Sequence, residues 1–183
     1  MADLGSRRRR DDGRGLRAAP LEVIADATSR RRDYDSRMTA SDPRSDRASF
    51  TQALIADHRA HGGRITFGPF EGRPVLLLHT LGAKTGEPRI APLVYSRDGA
   101  RFVIMASKGG APANPAWFAN LVAHPEVTVE AEGETFRAQA IVAQGTERDR
   151  LWSAHVAQHP GFADYEQRTA RVIPAIWLER IAS

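Results

Sequence analysis

The chain has 183 residues and is 42% hydrophobic, which suits one domain with a buried core; its apolar runs, such as 75–78, fall far short of the ~20 residues a membrane helix needs. With no cysteine, disulfides, thiolate metal sites and thiol nucleophiles are excluded, and a reducing cytoplasm is the default compartment. The net charge of +4 is concentrated in residues 1–37, which hold ten arginines against seven acids, so the rest is nearly neutral and lacks the broad basic face of a nucleic-acid binder.

Residues 1–48 are rich in Arg, Asp and Ser, have no sustained apolar period and read as a disordered extension, with a short helix around 21–27 and Met38 as an alternative start. The arginines at 7–10 are followed by Asp11, Asp12 and Gly13, not by an apolar stretch, so no secretory signal is read. The folded domain is expected over 49–183. Ser49 and Gln52 have capping-box spacing and open a helix carrying Phe50, Leu54, Ile55 and His58, which Gly62-Gly63 ends. Residues 75–80 form a buried apolar strand. Strands 89–96 and 101–106 flank Asp98-Gly99, a hairpin signal because both residues tolerate positive φ. Pro92 lacks a ladder donor, which places its strand at an edge or a bulge.

Asn114 and Pro115 are the residues favoured at an N-cap and first helical position. The helix that follows pairs Trp117 with Leu121 and Phe118 with Val122, and Pro125 ends it. Strands 127–131 and 135–142 flank Glu132-Gly133, a second hairpin. Thr146 and Asp149 open a helix with Leu151, Trp152, His155 and Val156, closed by Pro160-Gly161. A short turn or helix over 162–169 precedes a last strand at 174–178. About six antiparallel strands with short interposed helices give an α+β, mainly β class: a small barrel with flanking helices.

Only two of the 26 basic residues are lysines, Lys84 and Lys108, and both sit in short glycine-containing loops after strands. Arginine is a planar fork whereas lysine is a compact, mobile point charge. Gly82-Ala83-Lys84-Thr85-Gly86 is too short for a P-loop and has no Ser-x-x-Lys partner, which leaves an anion cradle of loop amides, Lys84, Thr85 and Arg89, or a plain surface turn. Ser107, Lys108, Gly109 and Gly110 form a second such loop, followed by a helix start suited to phosphate or carboxylate; Trp117, one turn in, can wall a planar ring or simply pack in the core. His155 and His159 are spaced i,i+4, but no zinc-protease Glu or third ligand accompanies them, so no metal site is read. Tyr165 is a candidate proton or hydrogen-bond donor to a substrate. No Ser/His/Asp set stands out, as expected where a cofactor carries the chemistry.

Taken in order, Gly82-Ala83-Lys84-Thr85-Gly86 with Arg89, then Pro92-Leu93-Val94-Tyr95, then residues 106–112, then Asn114-Pro115-Ala116-Trp117-Phe118 with Asn120, then Ile173-Pro174, make the stretch 75–178 resemble the deazaflavin-dependent nitroreductase family, relatives of the flavin-binding split β-barrel proteins. The resemblance implies a split β-barrel binding coenzyme F420, whose phosphate and oligoglutamate tail is strongly anionic; FMN on the same barrel is the alternative. Carried over by position, Ala83, Lys84, Thr85, Arg89, Ile90, Ala91, Pro92, Leu93 and Val94 would contact the cofactor. So would Met105, Ala106, Ser107 and Lys108, and Ala116, Trp117, Phe118, Ala119 and Asn120. Lys84, Arg89 and Lys108 suit the tail or phosphate; the apolar strand and Trp117 suit the ring. The substrate pocket is expected at His159, Phe162 and Tyr165, where relatives use tyrosines; the two missing phenols separate this chain from nitroimidazole reduction. The implied reaction is hydride transfer from a reduced deazaflavin to a small organic acceptor, with solvent or Tyr165 supplying the proton and a separate F420-reducing enzyme reloading the cofactor. A non-catalytic F420- or flavin-binding protein is a second reading. Monomer and homodimer both fit, no nucleic acid is expected, and the arginine-rich tail is a candidate for weak contact with an anionic membrane.

Overall fold

A computed structural model describes residues 43–182. The expectations of a disordered tail, a helix around 21–27, a start at Met38 and tail contact with a membrane concern residues 1–42 and lie outside the described residues. The first helix, α1 (Pro43–Ala60), begins at Pro43, not at Ser49, so Ser49 and Gln52 sit inside it and form no capping box. Proline has no amide to satisfy in a first helical turn, and Asp46 adds negative charge at the positive end of the helix dipole. At the other end Gly62 takes the left-handed conformation (φ +62°) and the Gly63 amide donates to the His58 carbonyl at 2.8 Å, the closure typical of a glycine-capped helix.

Six strands follow: β1 (Val75–Leu81), β2 (Pro88–Asp98), β3 (Arg101–Met105), β4 (Glu126–Ala131), β5 (Glu134–Val142) and β6 (Ala175–Arg180). They close into an antiparallel barrel in the order β1-β2-β3-β6-β5-β4. Helix α2 (Ala116–Ala123) bridges β3 to β4; α3 (Gly145–Gln158) and α4 (Ala163–Gln167) lie between β5 and β6.

Side-chain alternation sorts the apolar residues into two cores. Leu76, Leu78, Phe102, Ile104, Ile176 and Leu178 point into the barrel. Their neighbours Val75, Val103, Met105 and Ala175 point outward, against Leu54 of α1 and Leu151 and Trp152 of α3. This is why 75–78 is an uninterrupted apolar run: β1 is covered on both faces. Helix α1 is pinned by Nε2–H of the buried His58, which donates to the Val75 carbonyl at 3.0 Å, and by Arg59, whose guanidinium grips both oxygens of Glu130 on β4 at 2.6 and 2.9 Å.

Three local expectations shift. In the first hairpin the turn pair is Gly99-Ala100; Asp98 is still opposite Arg101, since Gly99 supplies the left-handed φ (+60°) and the Asp98 carboxylate is held by Arg150. The second hairpin turns at Glu132 (φ +55°) and Gly133 (φ +80°) as expected, the strain at Glu132 being held by the Tyr95 hydroxyl at 2.8 Å and by Arg97. Neither expected N-cap forms: α2 is preceded by Pro115 without a side-chain cap, and Asn114 instead accepts from Arg171 at 2.7 Å. Helix α3 begins at Gly145, which leaves Thr146 and Asp149 inside it.

Pro92 marks the feature that matters most for function. Residues 88–94 of β2 pair with β1 alone, and only Tyr95 onward pairs with β3. The strand therefore has an open edge over the segment where proline removes a ladder donor. No helix of the described residues is long and apolar enough to cross a membrane.

Candidate functional site

The open edge of β2 floors a cleft made of two adjoining cavities. The first, of about 490 Å³, is walled by the loop 82–85 with Arg89, Ile90 and Ala91, and by Ala116, Trp117, Ala119 and Asn120 of α2. The second, of about 200 Å³, lies along Pro92, Leu93 and Val94, beneath Met105, Ser107, Lys108 and Gly109, with Phe70, Phe162 and Tyr165 opposite. Trp117 lines both, so the two cavities share a wall.

Most residues expected from sequence thus converge, and three do not. Ala106 is fully buried in the barrel core; its amide donates to the Pro174 carbonyl at 2.9 Å. Phe118 packs against the same core, because a helix laid on a barrel must turn one face inward. His159 does not line the cleft: its ring lies 6.2 Å from that of Phe162 but lines another cavity with Gly72, Arg73 and Pro74, and its Nε2–H donates to the Tyr95 carbonyl at 2.8 Å. Among the described residues no cluster of three metal-ligating side chains occurs.

The electrostatics favour an anion. Several arginines elsewhere are paired with carboxylates, as Arg59 is with Glu130 and Arg150 with Asp98. Lys84, Arg89 and Lys108 have no carboxylate partner among the described residues; Arg89 only donates to the neighbouring Pro88 carbonyl at 3.2 Å. Lys108 is also one of two non-glycine residues with positive φ among the described residues (+49°), between Ser107 in the right-handed region and Gly109 and Gly110 in the left-handed one. Such a succession turns backbone amides toward one concave side and creates an anion-binding nest. Strain of this kind persists only where surrounding structure enforces it.

Two polar side chains, Asn120 and the half-buried Arg171, hold the cleft loops. Asn120 is 8% exposed; its Oδ1 accepts from the Ala83 amide at 3.0 Å and its Nδ2 donates to Thr80 Oγ1 at 3.1 Å. It shapes the Lys84 loop from behind as well as lining the cavity. Removing it by Asn120→Ala deletes both bonds and leaves the Ala83 amide unpaired, a loss of about 1–3 kcal/mol. Ligand affinity is expected to fall roughly tenfold in a fluorescence titration; unchanged affinity would show that the loop holds its shape unaided. Arg171 does the same for the second loop, donating to the carbonyls of Ala106, Ser107 and Ala111. Sequence reading missed it, since one arginine among so many gives no compositional signal.

The donor set fits a ligand with a flat apolar body and an anionic arm: tryptophan and apolar strand in the middle, unpaired cations along the rim. Tyr165 adds a hydroxyl with no protein partner among the described residues, its ring edge-on to Phe162 at 5.1 Å.

Comparison with known proteins agrees with this geometry. Residues 50–180 match the family model for F420H(2)-dependent quinone reductase. An F420H(2)-dependent quinone reductase of Mycobacterium tuberculosis is 40% identical over 128 residues, covering 68% of this chain and 86% of the relative. A solved F420H2-dependent reductase, FDR-A, is 35% identical with a TM-score of 0.54 over 58% of this chain and 95% of that one. A solved domain-swapped dimer is 30% identical with a TM-score of 0.56 over 73% of this chain and 98% of that one. The chain belongs to the F420H(2)-dependent quinone reductase family and is an oxidoreductase that uses coenzyme F420.

Proposed function

We propose that the cleft along β2 reduces a quinone-type acceptor in the cytoplasm, with the anionic arm of F420 at the Lys84 and Arg89 side chains, and its ring beside Trp117. The observation that carries this reading is the pairing of three unneutralised cations with a tryptophan-walled apolar cleft. Lys108 and its loop amides serve the second cavity, where an oxygen-rich edge of cofactor or acceptor needs a cation and donors. When bound, reduced F420 supplies a hydride. The protein's part is to hold the two rings in contact range and exclude water, which can account for much of a rate enhancement. Phe70 and Phe162 present flat apolar surfaces suited to an aromatic or quinoid acceptor, and the free Tyr165 hydroxyl can donate a hydrogen bond or proton to its carbonyl oxygen. Neither a nucleophile nor a metal is required for that chemistry. Sustained turnover calls for a separate F420-reducing enzyme.

The test is a fluorescence titration of the purified protein with F420 and with FMN, repeated for Lys84→Ala. F420 should bind more tightly than FMN and lose more affinity with added salt, because its tail carries more charge. A charge-assisted contact contributes about 1.5–3 kcal/mol, so Lys84→Ala should weaken F420 roughly ten- to a hundredfold. Wild-type affinity in that variant would refute the anion-site assignment.

A further inference from the structure

We propose that Arg171 is a positioning residue for the cofactor: a guanidinium fork that fixes the strained loop 106–111 in the shape that presents Lys108 and its amides to the cleft. The inference rests on reading that cleft as the F420 site.

Arg171 follows α4 in the segment leading to β6 and lines neither cavity of the cleft. Its Nε donates to the Ala111 carbonyl at 2.9 Å, its Nη1 to Asn114 Oδ1 at 2.7 Å, and its Nη2 to the carbonyls of Ala106 at 3.0 Å and Ser107 at 2.9 Å. All four acceptors belong to one stretch of chain. They bracket Lys108, Gly109 and Gly110, the three consecutive residues with positive φ. A loop with two glycines has many alternative shapes, and left-handed Lys108 is among the less favoured ones. Four bonds from one rigid planar group select a single shape, which a single ammonium on a flexible stem cannot do. The Asn114 bond extends the control one step further: Pro115 caps α2 directly after it, so the helix carrying Trp117 is set by the same fork.

No carboxylate pairs with Arg171 among the described residues, and burial depresses its pKa, which accords with a charge placed for geometry and not for ion pairing. The structure also shows what rigidity achieves here. Gly110 presses against α4, where an added Cβ would lie 2.8 Å from the Tyr165 carbonyl oxygen, so the loop abuts the element that carries the candidate proton donor. Fixing the loop therefore fixes Lys108, Trp117 and Tyr165 relative to one another.

Arg171→Lys keeps the charge and removes the fork. In cofactor-free protein, hydrogen exchange of the 106–111 backbone should accelerate about tenfold while β1, β4 and β5 keep their protection. With cofactor, the F420 dissociation constant and the KM for F420H2 should rise roughly tenfold with kcat within about twofold, because a displaced loop weakens binding without lowering the amount of folded enzyme. Unchanged loop exchange with unchanged KM, or a fall in kcat at constant KM with uniform loss of protection, overturns the proposal. Should Arg171→Lys fail to fold, Asn114→Ala decides: it deletes one acceptor and leaves the carbonyl bonds, so a raised KM supports the clamp and an unchanged KM overturns it. If wild-type protein does not bind F420, the functional reading falls, and loop exchange in the cofactor-free variant still tests the clamp by itself.

Discussion

Gly110→Ala is expected to destabilise the protein by about 2–4 kcal/mol and to weaken F420 binding at least about tenfold, whereas Gly109→Ala costs about 1–2 kcal/mol. Both glycines have positive φ, +65° at Gly109 and +81° at Gly110, so both substitutions carry the penalty of a left-handed L-residue. They differ in what the new methyl meets. At Gly109 nothing lies within 4 Å. At Gly110 the methyl would sit 2.8 Å from the Tyr165 carbonyl oxygen and 2.8 Å from Arg168 Cβ. One contact is backbone, so α4 or the loop must shift, and either movement disturbs the wall that carries Tyr165 or the one that carries Lys108. Urea unfolding of the two variants, with F420 titration of each, separates a purely conformational cost from a collision. Equal destabilisation in both would mean that α4 is not packed tightly on this loop.

The barrel was legible because strand periodicity and hairpin chemistry are local. The hairpin of two strands around the Glu132-Gly133 turn appears in the structure as read. Pro92 pointed to an edge or a bulge, and the stretch of β2 left without a partner on the β3 side became the floor of the cleft. The helix starts were less legible, because Ser49, Asn114 and Thr146 are good caps in isolation and the chain had better uses for those positions. Asn114 is taken by Arg171, and Ser49 lies within a helix that Pro43 begins earlier. The cleft residues of β2 were expected from the family resemblance alone, and the two glycine loops also from their lysines and glycines. Arg171, which supports the second loop from behind, was not expected. Arg171 acts through carbonyl groups, and carbonyls have no sequence identity. His159 shows the converse: the family resemblance suggested the pocket, and the ring hydrogen-bonds the Tyr95 carbonyl outside the cleft.

Acidification is expected to destabilise the fold well above the pH at which its carboxylates titrate, through His155. This side chain is fully buried on α3; its Nδ1 lies 2.8 Å from Ser96 Oγ, and its Nε2 has no partner. Burial, and then the nearby His159, push its pKa down to about 3. The His58 pKa is lowered chiefly by burial as well. In the unfolded chain a histidine gains its proton near pH 6.5. Between that pH and about 3 the unfolded state therefore binds a proton that the folded state refuses at His155. Stability must fall as pH drops through this window, by up to about 1.4 kcal/mol per pH unit for each such histidine. Glu130 acts lower on the scale: Arg59 holds its pKa near 2, so its contribution is intact above the usual carboxylate value of 4.5 and is lost only below it. The interval from pH 6.5 to 5 thus isolates the histidines, and His155 alone should remove about 2 kcal/mol across it. Urea unfolding at pH 7, 6 and 5 should show this slope in wild type and a slope reduced by one proton in His155→Gln, whatever that variant's stability at pH 7. Parallel slopes in the two proteins would mean that His155 accepts a proton inside the folded chain and that the space around Nε2 admits water.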